Sequence, residues 1–125
     1  MTLAMDDLYE LLGGQDAKVA STEQVLHAGP ANHWRGIEAV GGKLWLTTHR
    51  LVFQSHKVNL RAGQRQWPLA SIVNVVQRNT LWVVPNGIAV ELADGAMEKF
   101  VVADRAHWVA AILEARHGQG PGQAG

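Results

Sequence analysis

The sequence predicts a mainly β domain of antiparallel strands closed by a C-terminal helix, and three observations carry that expectation. From about Glu23 to Val102 the chain consists of short apolar runs bounded by turn residues, the spacing of an all-β fold. Two dipeptides, Asn86-Gly87 and Asp94-Gly95, are of the kind that adopts the positive φ angles of tight hairpin turns. After Asp104 the period changes, and Trp108, Val109, Ile112 and Leu113 fall on one face of a helix.

Taken in order, Met1 to Leu12 has Leu8, Leu11 and Leu12 opposite Asp6, Asp7 and Glu10, and Gly13-Gly14 ends the pattern, which predicts a short N-terminal amphipathic helix. Its acidic face is repelled by anionic lipid, so it is expected to pack on its own barrel, on another subunit or on a client protein. Lys43 to Thr47 and Arg50 to Ser55 form two strand-like runs joined by Thr48-His49, short enough for a hairpin, with Leu51 and Phe53 on one side. Gln66 to Arg78 reads as one longer run in which Pro68 must sit at an edge, a bulge or a strand start, because proline donates nothing to a ladder. The two Asx-Gly turns would join Leu81 to Val84, Ile88 to Leu92 and Met97 to Val102 into a meander. Asp104 is a suitable N-cap for the closing helix, and Arg116 and His117 complement its dipole. The expected organisation is a helix and linker over 1–22, one domain over 23–117, and a disordered Gly-rich tail over 118–125.

A chain of 125 residues, 47% hydrophobic, is the size of one domain. With no cysteine, it can have no disulfide scaffold, thiolate metal site or cysteine nucleophile. No apolar run is long enough to cross a bilayer, and the acidic N-terminus is unlike a signal peptide, so the protein is expected to be soluble and cytoplasmic. A net charge of zero argues against nucleic acid as a partner, but the charge is unevenly spread. Between His33 and Gln66 stand Arg35, Lys43, Arg50, Lys57, Arg61 and Arg65, opposed only by Glu38.

The residues Gly41 to Phe53, Gly-Gly-Lys-Leu-Trp-Leu-Thr-Thr-His-Arg-Leu-Val-Phe, resemble the "G-x-L-x-L-T-x-x-R-L-x-F" signature of GRAM domains. Pro68 to Ile72 is similar to that family's "I-P-L-x-x-I" segment, Asn86-Gly87-Ile88 to its hairpin, and Phe100 with Trp108 to its last strand and closing helix; the similarity spans about Glu23 to Ala115. The resemblance implies a pleckstrin-homology-like fold, a partly open seven-stranded antiparallel barrel or sandwich capped by the C-terminal helix. It also implies a non-enzymatic binding module, some members of the family binding phosphoinositides or other acidic lipids. No lipid-contact motif of the family matches residue by residue, so no binding residue is carried over.

The six cations named above are the candidate lipid-binding residues, because a domain of this type gathers the loops between its first strands on one rim, where cations could meet an anionic headgroup. The competing reading is six solvated strand-edge charges, which also deter edge-to-edge aggregation. Lys57 to Arg65 reads as an exposed loop with apolar residues beside its cations. Of the five tryptophans, Trp108 is expected in the core, Trp45 and Trp82 in the core or lining the barrel, and Trp34 in a polar loop. Six histidines show no helical pair or H-E-x-x-H, so no metal is expected, and no cofactor is implied. No serine elbow or phosphate loop is present, and Glu91, Asp94 and Glu98 read as solvent charges beside a turn, so no catalytic residue is proposed. Two functions remain: a module for acidic lipid at membrane surfaces, or a protein-interaction domain that could self-associate.

Overall fold

The computed structural model describes residues 23–56, 64–80 and 84–119. The expected N-terminal helix, Trp82, Lys57, Arg61 and residues 120–125 of the expected tail lie outside them. Seven strands form one antiparallel sheet: β1 (Val25–Arg35), β2 (Glu38–Thr47), β3 (Arg50–Ser55), β4 (Gln64–Pro68), β5 (Ile72–Thr80), β6 (Val84–Leu92) and β7 (Met97–Val102). A 3-10 turn, Leu69–Ser71, links β4 to β5, and one helix, α1 (Arg105–Gln119), follows β7. The spatial order is β4-β3-β2-β1-β7-β6-β5, so two consecutive meanders meet where β1 pairs with β7. That seam joins Ala31 to Val102 and Trp34 to Lys99. The outermost strands, β4 and β5, each pair on one side only, which leaves the barrel partly open.

Alternation puts Leu44, Leu46, Leu51, Phe53, Ile88, Val90, Phe100 and Val102 into one core, and α1 contributes Trp108 and Ile112 to the same cluster, with Leu113 packed against it. The helix also covers the free edge of β5. Arg105 Nη1 donates to the carbonyl of Arg78 at 2.8 Å, and Arg116 Nε donates to the carbonyl of Ile72, so two guanidinium groups engage the outer carbonyls near both ends of that strand. Asp104 starts the helix with its carbonyl, which accepts from the backbone N–H groups of His107 and Trp108, and its own backbone sits at φ 56°, a conformation aspartate tolerates better than most residues.

Three expectations are corrected. Asn86-Gly87 is not a hairpin: β6 runs straight through it, with Gly87 paired to Arg78 on one side and Val101 on the other, and the β5–β6 connection falls at 81–83. A central strand with ladders on both edges overrides the local turn preference. Asp94-Gly95 does turn, with Gly95 at φ 92°. The run from Gln66 to Arg78 is two strands, with Pro68 ending the edge strand β4 at the 3-10 turn, and β5 carries a register irregularity between Ile72 and Asn74. Trp34 stands in β1, not in a loop; Pro30 is tolerated in that strand because β7 engages it only from Ala31 onward.

Gly42 is fixed by space: a Cβ there would run into the Gln54 carbonyl and approach the Phe53 ring to 2.7 Å. Trp108, 2% exposed, is the largest fully buried side chain. Trp108→Ala should lower stability by about 3 to 5 kcal/mol in a denaturant titration, and a midpoint equal to wild type would show that α1 does not plug the core.

Candidate functional site

Four of the six candidate cations, Arg35, Lys43, Arg50 and Arg65, lie among the described residues, each on a different strand. Arg50 is committed to structure: its Nε and Nη2 donate to Glu23 Oε2 and Oε1 at 2.8 and 2.7 Å, and its Nη1 donates to Gln66 Oε1 at 2.9 Å. Glu23 is buried, and Thr47 Oγ1 donates to it at 2.6 Å while accepting from the backbone N–H groups of His49 and Arg50. The β2–β3 hairpin thus closes around a bidentate ion pair. Lys43 lies on β2 with its Nζ 4.3 Å from the Trp45 ring centroid, a cation–π contact on the flank of the sheet. Arg65, on β4, stacks over Trp67 at 5.6 Å.

Arg35 ends β1 at the β1–β2 hairpin, whose turn is Gly36-Ile37. Gly36 supplies the positive φ, 64°, that this turn requires, and Ile37 is 98% exposed at the tip. Beside the tip the fold brings in cations that the one-dimensional charge block missed. The seam pairs Trp34 with Lys99, and Gly87 pairs with Arg78, so Arg78, Asn79 and Lys99 gather with Trp34 around a shallow pocket of about 290 Å³ that Gly36 and Gly87 also line. Among the described residues, Arg35, Lys99 and the guanidinium of Arg78 make no ion pair. The Trp34 indole N–H has no acceptor there either. Met97, also exposed, precedes Lys99 on the same strand. Cations 43 and 64 residues from Arg35 in sequence could have been found only by predicting the β1–β7 seam, and Ile37 only by recognising a hairpin at Gly36.

Behind the hairpin, His33 is 1% exposed, stacked on Phe100 at 4.7 Å and flanked by the rings of Phe53 and Trp67. Its Nε2 lies 2.7 Å from Glu98 Oε1 on β7. Glu98, read from sequence as a solvent charge, is therefore a partner of the core histidine across the seam. Burial holds the His33 imidazole below the ordinary histidine value and outweighs the stabilising Glu98 carboxylate, and the Arg65 and Arg35 charges push the same way. Both arginines thus lie within electrostatic reach of His33. His27 is lowered likewise, first by burial and then by His107, against a smaller opposing effect of Asp104. Among the described residues, no cluster of His, Asp or Glu could hold a metal ion.

A family model described as the GRAM domain matches residues 15–105. No curated protein matches the chain in sequence. Among solved structures, the C-terminal domain of an unknown protein from Leishmania infantum has a TM-score of 0.72 at 17% identity, covering 90% of this chain and 96% of that one. The N-terminal PH domain of Vps36 has a TM-score of 0.67 at 11% identity, covering 86% and 87%. The linker-DH/PH portion of p115-RhoGEF has a TM-score of 0.63 at 16% identity, covering 92% of this chain and 34% of that longer one. Likeness at these identities speaks to the fold.

Two outcomes follow. Because the folded pKa of His33 lies below the unfolded value of 6.5, the unfolded chain takes up the proton first on acidification. The stability contributed by the neutral imidazole is complete above about pH 6.5 and is lost as pH falls through the lowered folded value. His33→Gln, which keeps a donor for Glu98, should reduce the fall in melting temperature between about pH 7.5 and pH 5.5; an unchanged slope would contradict it. Separately, Glu23→Ala leaves Arg50 without its carboxylate and should cost about 3 kcal/mol in chemical unfolding, whereas a loss below roughly 0.5 kcal/mol would class the pair as an ordinary surface bridge.

Proposed function

This chain belongs to the GRAM domain family, and on that premise we propose that it is a non-enzymatic module that docks on membranes containing acidic lipid, at the end bearing the β1–β2 hairpin. Domains of this pleckstrin-homology-like class bind lipids or proteins. The observation that carries the lipid reading is Ile37, an almost fully exposed isoleucine at a hairpin tip with Arg35 beside it and Lys99 and Arg78 around the adjoining pocket. An apolar side chain projecting among unpaired cations suits the boundary between headgroups and acyl chains, where the isoleucine leaves water and the cations meet phosphate. Lys57 and Arg61, in the β3–β4 connection, and Arg65 on β4 would add to the same field, Lys43 would contribute from the flank, and Arg50, held by Glu23, would contribute least. Among the described residues no helix is long and apolar enough to cross a membrane, and peripheral attachment from the cytoplasm is the arrangement proposed.

Magnitudes divide the work. Each cation near an anionic surface contributes about 1 kcal/mol, and full burial of an isoleucine about 1.5 to 3 kcal/mol. Glu91 and Asp94 lie on or beside the neighbouring β6–β7 turn and subtract from the attraction, so charge alone would bind weakly and the apolar tip matters.

Reversing Arg35, Arg78 and Lys99 together to glutamate should weaken co-sedimentation with phosphatidylserine- or phosphoinositide-containing vesicles by roughly two orders of magnitude, and Ile37→Ser by about tenfold. Raising salt should weaken the wild type, because screening acts over about 8 Å at physiological ionic strength. If the wild type fails to sediment with any acidic vesicle at low salt, the lipid reading is wrong and a protein partner takes its place.

A further inference from the structure

A groove of about 630 Å³ runs along the outer flank of α1, between the helix and the start of β1. Its walls include Leu26, Thr48, His107, Ala111, Ala115 and Gly118. The small helix residues leave the groove open, and Leu26 stands 48% exposed at its edge, away from the cation-bearing hairpin end.

We propose that this groove is filled by the N-terminal segment of the same chain, Met1 to Leu12, through Leu8, Leu11 and Leu12. The place where the described chain begins favours this occupant. Glu23 is fixed by Thr47 and Arg50, and Gln24 is held against Thr48, a wall of the groove: Gln24 N–H donates to Thr48 Oγ1 at 3.2 Å and Thr48 N–H to the Gln24 carbonyl at 2.9 Å. The described chain therefore begins beside the groove. The intervening Gly13 to Thr22 can span up to about 33 Å extended, more than the length of α1.

Dimensions and sequence agree. A helix over Met1 to Leu12 would be about 18 Å long, and the wall from His107 to Gly118 runs about 17 Å. So short a helix is marginal alone and forms when its apolar face finds a partner. Asp6 and Glu10 lie on the opposite side and would face water, while Asp7, four residues before Leu11, would sit at the rim of the docked face. Docking would cover Leu26 and the exposed flank of α1, giving the domain a second layer over its closing helix while leaving the β1–β2 end free.

The chain has no cysteine, so cross-linking tests the arrangement cleanly. Leu11→Cys is combined in turn with Ala110→Cys, Ala111→Cys and Ala115→Cys in the full chain, with Leu11→Cys and Ala39→Cys as the control at the far end of the barrel. Under mild oxidation at least one groove pair should close an intramolecular disulfide migrating at monomer mass on a non-reducing gel, and the control should not. No cross-link in any groove pair, or equal cross-linking in the control, overturns the proposal. Cross-linked dimer without intramolecular product also overturns it and assigns the groove to a second copy. As a check independent of disulfide geometry, replacing Leu8, Leu11 and Leu12 with aspartate should lower the melting temperature by about 4 °C or more and speed amide exchange over Ala110 to Ala115; unchanged exchange there contradicts the docking.

Discussion

The seam of four residue pairs between β1 and β7 is the constraint on which the rest of the molecule depends. Without it the chain is two independent meanders, β1 to β4 and β5 to β7, each with one apolar face and nothing to bury it against. Pairing Ala31–Trp34 with Lys99–Val102 turns those faces toward each other and creates a closed interior for α1 to cap. It is also costly to form, because it joins positions more than sixty residues apart and its loop-closure entropy must be met before burial rewards it. The buried His33 sits on this seam inside a ring of Phe53, Trp67 and Phe100, and meets the partly buried Glu98 of the other half. A polar pair there fixes register: slipping the strands by one residue would leave the buried histidine without its carboxylate.

The same seam assembles the end proposed to dock. Trp34 and Lys99 are cross-strand neighbours only because β1 and β7 pair, and Arg78 joins them through Gly87 on β6. Polar and apolar roles separate by end. The Glu23–Arg50 pair and the Thr47 network occupy the end bearing the β2–β3 hairpin. The β1–β2 hairpin occupies the other, where an exposed isoleucine and unpaired cations face outward. Specificity among anionic headgroups on such an end depends on how many cations reach one phosphate at once, which Arg78 and Lys99, on neighbouring walls of one small pocket, are better placed to do than charges scattered along β2 and β4.

Much of the fold was legible because local signals agreed with the global arrangement. The Thr48-His49 hairpin, the Asp94-Gly95 turn and the change of period after Asp104 each stand where the sequence puts them. The failures share one cause, tertiary context overriding a local preference. Asn86-Gly87 has the composition of a hairpin and lies in a doubly paired central strand; Pro30 disguised β1 as a loop; Pro68 hid a strand end inside a run of β-formers. The site was less legible than the fold. A charge block read along the chain put Arg50, an internal ion-pair partner, alongside Arg35, which the hairpin presents to solvent, and it passed over Lys99 and Arg78 because only the seam makes them neighbours of Trp34. Ile37, between Gly36 and Glu38, carries no signal until the turn that exposes it is known.

The central claim is that the β1–β2 tip enters the boundary layer of an acidic membrane, and depth at one residue tests it most directly. With the cysteine-free background, Ile37→Cys carrying an environment-sensitive fluorophore can be compared with the same label at Ala106 on the exposed face of α1. Addition of vesicles containing phosphatidylserine or phosphoinositide should shift the Ile37 label to the blue and shield it from aqueous quenchers, with no change at Ala106. Equal responses at both positions, or none at Ile37 while the protein is vesicle-bound, would contradict the account.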